Sequence, residues 1–173
     1  MKPILQKGHP ATEVLHEKAK EVPQDLFNTK QLATMLDDMK KAVDAQDDGL
    51  AIAAPQIGIP YRIFIVRFDR LSLPPEGQDE GPADYGIFIN PTITKRSKKS
   101  EVMDEGCLSV RGITGKTKRN VRATVRAQDF MGDFFERGGG GVLAQAYQHE
   151  IDHLDGILFV DVALETKPDN RND

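Results

Sequence analysis

The chain has 173 residues, 39% apolar and 29% charged, a balance that suits one compact domain large enough to enclose a water-poor site. A net charge of −4 argues against broad phosphate-backbone binding and leaves two local basic strips, Lys95 to Lys99 and Lys116 to Arg122, whose plainer reading is solvated strand edges and turns. No apolar run reaches the length of a signal peptide or membrane span, so a cytoplasmic protein is expected, and the single cysteine, Cys107, excludes an intramolecular disulfide.

In chain order, residues 1–24 are punctuated by proline, with a short helical turn expected around Ala11–Ala19. From Asp25, a good helix-capping residue, Leu32, Leu36, Met39 and Val43 form one apolar stripe along a helix to about Gln46, ended by Asp47-Asp48-Gly49. Next, Gly49-Leu50-Ala51-Ile52-Ala53-Ala54-Pro55-Gln56 is built of small residues that let a backbone or a ligand approach closely, and Pro55 fixes the turn that aims Gln56. Tight packing of a strand on a helix explains such a stretch equally well.

Tyr61–Arg67 is a β-rich run, and Leu71–Gly86 reads as a long exposed loop. Ile87–Ile89 and Pro91–Thr94 read as strand, 95–100 as a turn, and Ser100–Met103 as a returning strand that delivers the chain to Cys107. Asn120–Asp129 alternates with Val121, Ala123, Val125 and Ala127 on one face and turns at Met131-Gly132-Asp133 into Phe134–Glu136, a hairpin. Gly138–Gly141 reads as too flexible for regular structure. A helix follows over Val142–Leu154, ended by Asp155-Gly156; Leu158–Val162 docks back, and residues 165–173 form a polar, frayed tail.

The chemistry concentrates in Gln148-His149-Glu150-Ile151-Asp152-His153. Four residues apart on a helix, His149 and His153 present two imidazole nitrogens to one metal ion, with Glu150 beside it as a carboxylate free to carry a proton. With Cys107 on a loop this makes a set of one Cys and two His that leaves a fourth position open, as a catalytic rather than a structural site requires. His9 and His16 lie outside any ligand spacing.

Gly49–Gln56, Glu105-Gly106-Cys107-Leu108-Ser109 and Gln148–His153, in this order and spacing, resemble the three motifs of the bacterial peptide deformylases, and the resemblance extends over nearly the whole chain. It implies an α+β fold in which antiparallel sheets surround the HExxH helix. It also implies removal of the N-formyl group from formylmethionine on nascent polypeptides, with Fe(II) as the usual metal and Ni, Co or Zn able to replace it. By that resemblance Cys107, His149 and His153 hold the metal, Glu150 is general base and acid, and Gln56 and the backbone N–H of Leu108 donate to the developing oxyanion. Glu105 and Arg119 also match the family, and the resemblance implies a salt bridge between them that braces the cysteine loop. The resemblance further implies a methionine pocket lined by Leu50, Val142, Gln145 and Ala146, with Gly49, Ala51, Glu105 and Gly106 completing the expected substrate contacts.

Three positions depart from the family pattern: Ala51 stands where a second glycine is usual, Arg111 where proline is, and Gln145 where an aliphatic residue is. Asp152 reads either as a support for the site or as a solvated carboxylate. A monomer acting on nascent chains at the ribosome is expected. The alternatives are an impaired relative, a general zinc endopeptidase of the His2Glu kind, which needs a carboxylate on a following helix where this chain has only a short polar tail, and a non-catalytic metal-binding module, which needs neither Glu150 nor Gln56.

Overall fold

The computed structural model describes residues 2–8, 10–72 and 82–169. A 3-10 turn over Pro10–His16 matches the expected helical turn. The first α-helix, α1, spans Lys30–Asp44 and starts later than Asp25, which lies instead in a separate 3-10 turn, Gln24–Leu26. Phe27 is extended and Asn28 has φ 56°, so the chain cannot run on helically; Thr29 then caps the helix by accepting from the Leu32 N–H at 3.2 Å. The stripe Leu32, Leu36, Met39 and Val43 is fully withdrawn from water, worth on the order of 2 kcal/mol per side chain.

Two antiparallel sheets follow. The larger has the order β1-β2-β3-β6-β7: Ala51–Ala53, Ile63–Arg67, Tyr85–Arg96, Arg122–Gln128 and Phe134–Gly140. One face, with Ile52, Ile63, Ile65 and Ile89, packs on α1. The other, with Phe64, Val66, Phe88, Ala123, Val125 and Ala127, packs on α2, Gly141–Leu154, through Ala144, Tyr147, Ile151 and Leu154. β2 is therefore buried along its whole length, which is why Ile63–Val66 is a continuous apolar run rather than an alternating one.

The smaller sheet has the order β4-β5-β8: Ser100–Cys107, Val110–Asn120 and Glu165–Pro168. A short helix α3, Phe159–Val162, packs Phe159 against Cys107 and Val110.

Several expectations need correction. Ile87–Ile89 and Pro91–Thr94 belong to one strand whose register shifts at Asn90, where φ is 49° and the side chain bonds both the N–H and the carbonyl of Val22. Strand β4 runs on to Cys107 itself. Gly138–Gly140 is regular strand, paired with Thr124, Ala123 and Arg122. Glycine is needed at 139 because a Cβ there would come within 2.7 Å of the Leu143 Cγ, so a bare backbone lets α2 lie against the sheet.

Residues 165–168, expected to fray, pair with β5 from Ile113 to Lys116. Strand β5 itself was not anticipated: its inward residues are Gly115, Thr117 and Arg119, so no hydrophobic alternation announces it. The expected loop 71–86 lies largely at 73–81, outside the described residues, as does the end of the tail, 170–173.

Candidate metal centre and substrate cavity

Two elements converge on one point. The last residue of β4 brings Cys107, and α2 brings His149 and His153 on successive turns. Cys107 Sγ lies 3.1 Å from His153 Nε2, which lies 3.2 Å from His149 Nε2, and one donor atom from each residue falls within 4.8 Å of the others. Two imidazole nitrogens and a sulfur turned toward each other at such range repel unless a proton or a cation sits between them, so the donor set fits a single metal ion.

The surrounding charge favours a cation. Burial opposes protonation of His149, yet the adjacent Cys107 and the Glu105 carboxylate outweigh it and hold its basicity well above the ordinary value. Burial, helped by His149, pushes His153 well below, so it is a neutral imidazole with a lone pair to offer.

A carboxylate fixes the first of these ligands. Glu105 Oε1 accepts from His149 Nδ1 at 2.6 Å and from Arg119 Nη2 at 2.6 Å, while Oε2 accepts from Arg119 Nε at 3.0 Å and from the Thr117 hydroxyl. Burial would raise the Glu105 pKa, but the bonds from His149 and Arg119 overcome it and hold the group well below the usual carboxylate range. Arg119 also reaches Asp152 Oδ2 at 2.6 Å, so Asp152 supports the site rather than standing in solvent. The polar inner face of β5 therefore exists to hold Glu105.

Glu150 is 3% exposed, and its Oε2 has no hydrogen-bond partner among the described residues. Burial pushes its pKa up to about 7, opposed by the nearby His149 and reinforced by Glu105. A buried carboxylate whose pKa is raised toward neutrality and that keeps an oxygen uncommitted is suited to passing a proton.

Gln56 comes from the 3-10 turn Ala54–Ile57. Its Oε1 accepts from the Ala53 N–H at 2.8 Å, which orients the amide so that Nε2 faces the metal site, 3.6 Å from Cys107 Sγ and 3.1 Å from Ser109 Oγ. The N-terminal segment straps both motifs: the Leu5 N–H donates to the Gln56 carbonyl and the Lys7 N–H to that of Ser109.

A cavity of about 240 Å³ opens beside this centre. Its walls include Gln56, Cys107, Leu108, Gly106, His149 and Glu150, together with the expected pocket residues Leu50, Ala51, Val142, Gln145 and Ala146. His153 is buried behind Cys107 and His149, outside the wall. Glu105 borders the cavity, but its carboxylate is committed to His149, Thr117 and Arg119, and Gln145 adds a weaker bond at 3.4 Å, so the side chain serves the histidine rather than a substrate.

Gly49 is not part of the wall. A Cβ there would lie 2.4 Å from the Val43 carbonyl oxygen, and its own carbonyl accepts from Arg70 Nη1 at 2.7 Å, so glycine is needed for packing against the end of α1. Ala51 borders the cavity and packs against the apolar cluster between the sheet and α2. Gln145 donates to the Asp104 carbonyl at 2.8 Å, tying α2 to β4. His16 lies near Asp161, away from the site, and His9 lies outside the described residues.

The sequence reading missed the far end of the cavity. Arg111 reaches Asp48 with both terminal nitrogens, at 2.6 and 3.0 Å, and Gln46 at 2.7 Å, bridging the loop after α1 to β5. Its only sequence signal was the departure from proline at that position.

The profile of the Polypeptide deformylase family matches residues 1–169. The chain is 40% identical over 166 residues to the peptide deformylase of Heliobacterium modesticaldum, with 96% of each protein covered. It is 36% identical to peptide deformylase 1A, chloroplastic/mitochondrial, of Arabidopsis thaliana, spanning 60% of that protein's length. Its fold superposes with a TM-score of 0.79 on the Met-Ala-Ser-bound class I type b peptide deformylase of Acinetobacter baumannii, at 30% identity and covering 93% of this chain and 98% of that one. Three converging motifs, one shared fold and a family match along nearly the whole sequence lead to one assignment: the chain belongs to the peptide deformylases, metal-dependent hydrolases that remove the N-formyl group from newly made polypeptides.

Proposed function

We propose that this chain is a working deformylase of formylmethionyl peptides, with Cys107, His149 and His153 holding one divalent ion, Fe(II) in preference to Ni, Co or Zn. The observation that carries the reading is the coincidence of that donor triad with a buried, protonatable Glu150 and an oriented Gln56 amide, with Cys107, His149, Glu150 and Gln56 all on the wall of one cavity. A thiolate donor suits a borderline, redox-active ion better than a third carboxylate would. When bound, the ion supplies Lewis acidity that polarises the formyl carbonyl and acidifies water.

The protein groups do the rest. Leu50, Val142 and Ala146 give the methionine side chain an apolar wall, which places the formyl carbon beside the triad. Glu150 takes a proton from the attacking water as its oxygen bonds to the formyl carbon, then delivers that proton to the amine nitrogen as the C–N bond breaks and formate leaves. Gln56 Nε2 and the Leu108 N–H donate to the formyl oxygen while it carries negative charge. Gln56 needs little reorganisation for this, since the Ala53 N–H already holds the other end of its amide.

The natural substrate class is nascent chains, met at the ribosome by a cytoplasmic monomer. Support comes from the bacterial relatives and from the relative whose structure holds Met-Ala-Ser. Anaerobically prepared protein incubated with formyl-Met-Ala-Ser and with casein should release formate and leave casein intact. Casein cleavage, or no formate with Fe(II) restored, would sink the proposal.

A further inference from the structure

On the side of the molecule formed by the outer strands of the large sheet lies a feature that deformylation does not use. Although the chain is acidic overall, Lys95, Arg96, Lys98, Lys99, Arg122 and Arg126 gather on β3, β6 and the turn beside them, all exposed. The ladder sets their spacing. Lys95 pairs with Thr124 and Thr92 with Arg126, which sets Lys95 on the face of Arg122, Thr124 and Arg126, whereas Arg96, paired with Ala123, belongs to the opposite face; the backbone N–H of Ser97 donates to the Arg122 carbonyl at 3.0 Å. Among the described residues only Lys99 of this group meets a carboxylate within 4.0 Å, that of Glu101. The others are exposed without a carboxylate at that range.

The next strand shapes the floor. Along β6, Arg122, Thr124 and Arg126 share the outward face, opposite Gly140, Gly138 and Glu136 of β7. Glycines leave no side chains there, and the result is a recess of about 360 Å³ bounded by Arg122, Thr124 and Gly138–Gly140. Further along β7 stands Phe134, 60% exposed, with the Arg126 guanidinium 3.9 Å from its ring centre.

We propose that this face, from Lys95 and Arg122 across the glycine recess to Arg126 and Phe134, binds a single-stranded segment of RNA. Arg122 and Arg126 stand about 13 Å apart along β6 with Lys95 of β3 level with Thr124 midway between them, a row of cations that suits a phosphodiester backbone, and an exposed ring backed by a guanidinium offers a π-face on which a base can stack. A glycine-floored recess with Arg122 on its wall fits a strand that can enter it, whereas a flat anionic bilayer would meet only its rim. The surface is distinct from the deformylation cavity, and the inference stands whether or not the catalytic reading holds.

The test is fluorescence anisotropy of a fluorescein-labelled, unstructured RNA 12-mer titrated with the full-length, metal-loaded protein. Binding is expected at 50 mM salt, falling about 50-fold at 200 mM if some four phosphate contacts are made. The double variant Lys95→Glu/Arg122→Glu should lose at least tenfold in affinity, and Phe134→Ala about fivefold or more. In both, the melting temperature and the kcat/KM for formyl-Met-Ala-Ser should stay at the wild-type values, which separates loss of the surface from loss of the fold.

Lys116→Glu, on the other sheet, serves as the charge control and should bind like wild type. No binding at 50 mM salt overturns the proposal. So does an equal loss in Lys116→Glu, which would mean diffuse attraction, or tighter binding to phosphatidylserine vesicles than to RNA.

Discussion

Replacing Glu105 by glutamine tests the network behind the metal centre with an isosteric change of one charge. Oxygen Oε1 accepts from His149 Nδ1 and Arg119 Nη2, and Oε2 accepts from Arg119 Nε, the Thr117 hydroxyl and, weakly, Gln145. An amide has one acceptor end and one donor end. Turning its NH₂ toward Oε1 would set donors against both His149 and Arg119, so the variant places the NH₂ on the Oε2 side, where the Thr117 hydroxyl can reverse its role and accept.

The Arg119 Nε then faces a donor, and a guanidinium 7% exposed keeps only Asp152 as a charged partner. Breaking one side of a buried pair costs about 3 to 5 kcal/mol, and the surviving Asp152 contact puts the expected loss near the low end, about 3 kcal/mol. For a chain of 173 residues that lowers the melting temperature by about 6 to 12 °C. His149 keeps its acceptor but loses the full negative charge behind it, so metal affinity should fall about tenfold.

Both effects are measurable, by urea denaturation with a melting scan and by competition with a chelator of known affinity. A melting temperature within about 2 °C of wild type would refute the reasoning, because it would mean that the Glu105 charge is not holding Arg119.

Replacing Cys107 by alanine should abolish stoichiometric metal in plasma-emission analysis; unchanged metal content would show that the triad is not the site. Glu150→Gln should keep its metal and lose about 10²-fold or more in turnover, whereas loss of metal with activity restored by excess ion would make Glu150 a ligand. Ala51→Gly should change kcat/KM for a formyl-Met peptide by less than about tenfold, since Ala51 is regular strand paired with Val66; a hundredfold gain would show that its methyl obstructs the cavity.

The Arg67 guanidinium, helped by the Asp84 N–H and against the effect of burial, holds Asp69 at a pKa of about 2, below its ordinary 3.8. A depressed carboxylate stabilises the fold above its unfolded-state pKa and loses that contribution as pH falls through the folded one. Asp69→Asn should therefore cost about 2 kcal/mol at pH 6, with the difference from wild type shrinking between about pH 4 and pH 2; a pH-independent difference would remove the ion pair as its cause.

What could be read from the amino-acid order was whatever depends on local spacing. His149 and His153 share a helix face because an α-helix brings every fourth residue into line, and Leu32, Leu36, Met39 and Val43 mark a buried stripe for the same reason. The chemistry of the site was legible too, because few residue types can hold a metal and move a proton.

Tertiary contacts decided the rest. Gly138–Gly140 has no strand propensity of its own and becomes strand because β6 pairs with it and α2 needs a bare backbone to pack on. Strand β5 turns Thr117 and Arg119 inward to hold Glu105, so a reading based on hydrophobic alternation passes over it. Gly49 shares a motif with Leu50 yet faces the end of α1 rather than the cavity, since successive residues of an extended chain point opposite ways. The Arg111 clasp to Asp48 joins residues 63 apart in sequence, and a pairing across that distance exists only once the two sheets and α1 have set the walls of the cavity.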